Sequence, residues 1–191
     1  MTRTVLIFAV VVRMLGTLPA FAQPEEGSVM FSGTVSLSHW SGDLYGEGTV
    51  FDMTPNVAYF LSRNVSLGGE AAFAASTGQS ELLAGPALAY YFASKSEVVP
   101  YVATSALLQC NARSGGGNSF VGHSIRLRAG LAWFVSHAIA LTPEAVVSFD
   151  TRQEWEYPNI PYNYHRFKVN ARGTVYSMGM GISGLLGPHK K

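Results

Sequence analysis

The chain has 191 residues, 48% of them hydrophobic and 13% charged, with a formal net charge of +1. That length allows one domain or two small ones, and the charge density is about half the ~25% usual for soluble domains. Near-neutrality excludes a global basic field for nucleic acid, one cysteine excludes a disulfide framework or a Cys-rich zinc cluster, and the apolar and aromatic content excludes disorder.

Residues 1–22 read as a secretory signal. Arg3 supplies the positive start, Val5 to Val12 is an unbroken apolar run, and Ala20-Phe21-Ala22 is a small-x-small cleavage site. Arg13 interrupts the apolar region, and a spanning anchor would need roughly 20 apolar residues. No cysteine follows the run, so there is no lipoprotein anchor. Cleavage removes Arg3 and Arg13, leaving residues 23–191 with 11 basic residues against 12 acidic ones. Cys110 then reads as a small apolar strand residue.

The remainder alternates with period two, the mark of half-buried antiparallel strands. From Val29 to Leu37, Val29, Phe31, Val35 and Leu37 alternate with Ser32, Thr34 and Ser36. The same alternation recurs over Phe51–Leu61, Val65–Phe73, Ser124–Trp133 and Ile139–Phe149. Leu82–Phe92 and Val99–Gln109 are more uniformly apolar. The last strand spans about Tyr164 to Leu186, and its apolar face switches near Gly173, which predicts a bulge. This makes eight strands. Tight turns at Ser62–Asn64, Ser94–Glu97 and Ser136–His137 alternate with connections at Ser41–Gly48, Thr77–Gln79, Asn111–Asn118 and Asp150–Asn163, three of them longer. Short turns at one end and longer loops at the other is the layout of a transmembrane barrel.

An internal repeat supports this. Ala58–Glu70 aligns without gaps to Ala132–Glu144, with five of thirteen positions identical. Each copy, and the weaker copy Ala89-Tyr90-Tyr91-Phe92, places aromatics just before a tight turn. That predicts an aromatic girdle at the membrane–water boundary.

The run Met53-Thr54-Pro55-Asn56-Val57-Ala58-Tyr59-Phe60-Leu61-Ser62-Arg63-Asn64-Val65-Ser66-Leu67-Gly68, with Gly85-Pro86-Ala87-Leu88-Ala89-Tyr90-Tyr91-Phe92, resembles the outer-membrane β-barrel-domain family, OmpX-like or OmpA-like. The resemblance covers most of residues 28–186. It implies an all-β, eight-stranded antiparallel up-and-down transmembrane β-barrel in a Gram-negative outer membrane, and no particular activity. In that family an aromatic residue commonly ends the last strand, where this chain has Leu185-Leu186.

With apolar residues facing lipid, the alternate residues face a lumen just wide enough for side chains, where charges must pair. Counting from the turn at Ser136-His137 puts Glu144 nearly opposite Arg128 or Ala129. Counting from a last loop centred near Pro158 puts it nearly opposite Arg172 or Gly173. Glu70, at the repeat-equivalent position, can reach the same arginines, and Arg126 and Asp52 form a higher layer. The expected role of Asp52, Glu70, Arg126, Arg128, Glu144 and Arg172 is an interior plug, the alternative being a narrow polar or gated path. On this reading Glu144→Ala strands arginine charge.

Catalytic candidates are few. A lipid A-modifying barrel enzyme needs a serine activated by a histidine with an orienting acid. His123-Ser124 and Ser38-His39 are sequence neighbours, which point to opposite faces of a strand, and His165 lies at a loop edge. No Ser, His and acid share the lipid face, so the chain is read as a non-enzyme. The five histidines lack metal-ligand spacing, Ser114–Asn118 is a glycine-rich loop without the lysine or helix of a phosphate cradle, and no cofactor is expected. The last loop carries Trp155, Tyr157, Tyr162 and Tyr164, which suit partner binding or an outer aromatic girdle. The expected role is structural or surface-interacting. The expected partners are outer-membrane lipid and lipopolysaccharide, the barrel-insertion machinery and a surface ligand. A soluble, lipocalin-like binder of apolar ligands is a further alternative, disfavoured by the shortage of surface charge.

Overall fold

The computed structural model describes residues 24–42, 48–76, 79–113, 121–156 and 167–187; the residues expected to form a secretory signal lie outside them. Eight strands follow in chain order: β1 (Val29–Gly42), β2 (Gly48–Phe60), β3 (Val65–Ser76), β4 (Gln79–Tyr91), β5 (Val98–Arg113), β6 (Val121–Phe134), β7 (Ile139–Glu156) and β8 (Phe167–Leu186). Each pairs antiparallel with its sequence neighbours, and β8 pairs with β1 to close the barrel.

The register can be followed around the ring. Met30 pairs with Ala58, then Gly68, Ala87, Ser105, Arg126, Ser148 and Val175, and the path returns to β1 at Trp40. The ten-residue offset between Met30 and Trp40 is the shear of the barrel, and shear tilts the strands.

Period two sorts side chains to the two surfaces. Phe31, Leu37, Phe51, Val57, Phe73, Leu127, Met178 and Ile182 are exposed on the wall, while Ser36, Asp52, Asn56, Glu70, Gln109, Ser124 and Glu144 are buried within. This polarity is the reverse of a soluble lipocalin-like barrel. On β6 the exposed wall is apolar from Trp133 to Ile125, and His123 is its next outward residue. At about 3.3 Å per residue and a tilt of about 40°, Trp133 to His123 rises roughly 25 Å, the height of a lipid-facing band.

The internal repeat is one turn built twice. Leu61 and Ser62 donate backbone hydrogen bonds to the Val65 carbonyl at 2.9 and 3.3 Å, and Val135 and Ser136 do the same to Ile139 at 3.0 and 3.2 Å. The aromatics before the turns divide by parity. Tyr59, Tyr90, Phe92 and Trp133 are exposed as the girdle requires, but Phe60, Tyr91 and Phe134 are buried inside. There they form an apolar cluster with Met30, Val99 and Tyr101.

Two expectations about strand ends are corrected. The β7–β8 pairing passes through Gly173 with no residue skipped, and the β1–β8 pairing reaches Gly173 unbroken, so there is no bulge there among the described residues. And β7 runs on to Glu156 while β8 begins at Phe167, so the last connection is shorter than Asp150–Asn163 and Trp155 belongs to a strand, opposite Lys168. Period-two reading stops where apolar alternation stops, whereas backbone pairing continues past it.

Placing a charge on the middle of this wall should be costly. Leu127→Arg is expected to destabilise the barrel in phospholipid vesicles by about 2–4 kcal/mol, read from the urea unfolding midpoint. The exposed turn substitution His137→Arg should leave that midpoint unchanged.

Candidate functional site

The lumen is the candidate site, and its contents fall into three levels. At the short-turn end the interior is aromatic. Tyr91 stacks on Tyr101 with ring centroids 5.4 Å apart and 27° between planes, and Phe60 tilts against Tyr91 at 5.2 Å. The Asn64 side chain ties the turn to this level by donating to the Tyr91 carbonyl at 2.6 Å.

The middle level holds the charges. Glu70, on β3, is reached by two arginines from β6: Arg126 Nη1 lies 3.4 Å from its Oε1 and Arg128 Nη2 lies 2.6 Å from its Oε2. Both arginines project inward because they sit two residues apart on one strand. The Glu70 side chain is fully shielded from solvent, so its negative charge depends on those guanidiniums. Glu144, on β7, is held differently. Tyr101 Oη donates to its Oε2 at 2.5 Å. The ring gets there by crossing Gly130, which is the direct partner of both Tyr101 and Glu144. A Cβ at Gly130 would fall 2.8 Å from two atoms of the Tyr101 ring. Glycine is therefore needed at this position, where an aromatic side chain covers the bare backbone. Arg128, Glu144, Tyr101 and Ser183 line one cavity of about 30 Å³, room for a water or two.

The upper level is acidic. Asp52 accepts hydrogen bonds from the hydroxyls of Ser36 and Ser38, and Ser38 also meets Ser177 at 2.7 Å. Gln109 Nε2 donates to Glu81 Oε2 at 2.8 Å. Asp52, Glu81, Asp150 and Arg126 line a second cavity, of about 20 Å³.

Among the expected lumen residues, Glu70, Arg126 and Arg128 come together as one ion cluster. Asp52 sits above it, sharing a cavity with Arg126. Glu144 lies opposite Gly130 and Gly179 rather than Arg128 or Arg172. The arginine that Glu144→Ala was expected to strand is thus paired with Glu70. Arg172 is a correction: it is exposed on the outer wall, opposite Thr151. The outermost β7–β8 pair is Glu156 with Phe167, so the connection is centred three to four residues beyond Pro158. Pairing reflects about the loop centre, so this error doubles to seven residues and, being odd, also reverses the face. Of the aromatic loop candidates, Trp155 lies in β7, while Tyr157, Tyr162 and Tyr164 lie outside the described residues.

Tyr101, Glu81, Gln109 and Asp150 are the residues that sequence reading missed. Parity could have placed Tyr101 and Gln109, which share the inward face of β5 with Val99, Ala103, Ser105 and Leu107. The catalytic candidates stay apart. His123 and His39 are outside, whereas Ser124 and Ser38 are almost completely buried inside. His165 lies outside the described residues, and among the described residues no group of His, Cys, Asp and Glu forms a metal cluster.

No protein-family model matches the chain, nor does any functionally curated protein. Solved structures do. Neisserial surface protein A matches with a TM-score of 0.64 at 12% identity, over 83% of this chain and 99% of that one. The outer membrane protein AlkL, solved in lipid bilayers, matches at 0.56 and 13%, over 92% and 98%. Ail, the attachment invasion locus protein of Yersinia pestis, matches at 0.52 and 13%, over 84% and 99%. The fold is therefore that of the eight-stranded barrels of bacterial outer membranes.

Two substitutions separate the two carboxylate systems. Glu70→Ala leaves both β6 arginines without their carboxylate and is expected to cost about 3–5 kcal/mol. Tyr101→Phe removes one hydrogen bond to a charged acceptor and is expected to cost about 1.5–3 kcal/mol. Urea unfolding in vesicles measures both, and a larger loss for Tyr101→Phe than for Glu70→Ala would contradict this assignment.

Proposed function

We propose that this chain is an outer-membrane protein of structural or surface-interacting role whose wall sits in lipid and whose lumen is closed by its own side chains. The observation that carries the reading is the inverted polarity. Exposed leucine, isoleucine, phenylalanine and methionine cover the wall, while Asp52, Glu70, Glu81, Glu144 and Asp150 are buried within. Such a wall is unsuited to water and suited to hydrocarbon. Charges of both signs at one level, above an aromatic cluster and beside water-sized cavities, favour a closed interior over a conducting one.

In this reading the short turns lie in the periplasm and the long-loop end lies outside, after export on the residue 1–22 signal and delivery by the barrel-insertion machinery. The contact surface for a partner is the β7–β8 end, with Trp155, Tyr157, Tyr162 and Tyr164. Surface display accords with the names of two proteins of the same fold, a neisserial surface protein and an attachment invasion protein. A lipid A-modifying activity is disfavoured because His123 and Ser124 point to opposite sides of the wall.

Fractionation of expressing cells followed by electrophoresis with and without boiling tests the location. A membrane band that changes mobility on boiling is expected, and a soluble periplasmic band with no shift would overturn the reading. Reconstitution in planar bilayers tests the interior. The wild-type barrel should give no stable conductance steps, and their appearance would replace the plug with a pore.

A further inference from the structure

The sorting of charge between the two surfaces is unequal. Among the described strand side chains, every carboxylate points inward. The outer wall at the long-loop end carries Arg172, His123 and His39, all exposed. Arg172 has no ion pair among the described residues. A guanidinium at the edge of an apolar band is costly there unless it reaches water or an anion.

Three of the outward residues form one row. His123 on β6 pairs with Thr151 on β7, and Thr151 pairs with Arg172 on β8. The row spans two strand spacings, about 10 Å. It offers a guanidinium fork, a hydroxyl and an imidazole. Immediately below it, Ile125 pairs with Phe149, and both are exposed. The row also lies at the upper limit of the apolar wall, ten residues above Trp133 on β6. An occupant must therefore be anionic at its head and apolar beneath.

We infer that His123, Thr151 and Arg172 form a site on the outer wall for the phosphate of a phosphorylated lipid headgroup, with the acyl chains lying on Ile125 and Phe149. Arg172 is the anchor, because its planar fork pairs with two phosphate oxygens at once. Thr151 donates a hydroxyl hydrogen bond, and His123 bounds the site on β6. A free phosphate ion would gain nothing from the apolar floor. The inference rests on the proposal that the wall faces lipid.

The test uses the full-length chain, folded in detergent micelles and offered bis-phosphorylated lipid A or the same lipid after enzymatic dephosphorylation. Native mass spectrometry reads the lipid retained. Wild type should retain the phosphorylated form preferentially. Arg172→Gln should lose that preference by roughly tenfold, the loss of one charge-assisted hydrogen-bonding group. Arg172→Lys should keep part of it, and Arg63→Gln, an exposed arginine in a short turn, should change nothing. Equal retention of the two lipids by wild type, or full retention by Arg172→Gln, would overturn the site. Displacement of lipid A by an equal concentration of inorganic phosphate would overturn the lipid as its ligand. A heat-shifted band without phosphate preference removes only this site. Absence of the heat-shifted band removes the membrane reading with it.

Discussion

Closing eight strands on one another confines every inward side chain to a space about one layer deep, and the rest of the structure answers to that constraint. The wall faces a medium that satisfies few hydrogen bonds, so the carboxylates and most polar side chains described on the strands turn inward. The interior cannot spread its charges or dilute them with much water. It has to match them locally, and four of the buried carboxylates have each acquired a different kind of partner. Glu70 has two guanidiniums, Glu144 a phenol, Asp52 two serine hydroxyls and Glu81 an amide.

The repeat gives this arrangement a geometric logic. Glu70 and Glu144 follow the same turn at the same distance, on β3 and β7. Four strands apart in a ring of eight, they stand on opposite walls at one height. Both β6 arginines go to the Glu70 wall. On the other wall the neighbouring strand contributes glycine, and the space above it admits the Tyr101 ring. One carboxylate is thus neutralised by charge and its twin by hydrogen bonding over a bare backbone position. The two copies share a turn and an acid but differ in what surrounds them.

Most of the architecture was legible because the period is two and the tight turns are short. Parity along β1, β2 and β6 assigns faces correctly, and the Ser62–Asn64 and Ser136–His137 turns fix the neighbouring registers to within a residue or two. Legibility failed where a long connection separates strands. The β7–β8 pairing depends on the loop centre, which composition does not mark, and Arg172 consequently moved from lumen to outer wall. The girdle reading failed differently. Adjacent aromatics such as Tyr90 and Tyr91 look alike in sequence, yet alternation sends one to the lipid boundary and the other to the interior cluster. Tyr101 was missed because an apolar-looking strand conceals a hydroxyl whose partner lies two strands away.

The seam between β1 and β8 joins the first strand of the chain to the last. Fourteen consecutive pairs, from Val29 with Leu186 to Gly42 with Gly173, join the two ends of the fold. Without β8, that edge of β1 has a full row of peptide groups lacking their native partner. A chain lacking β8 retains seven strands with two open edges, which hydrocarbon does not tolerate and which invite pairing with another chain. Closure of the ring thus rests on one seam between the first strand and the last.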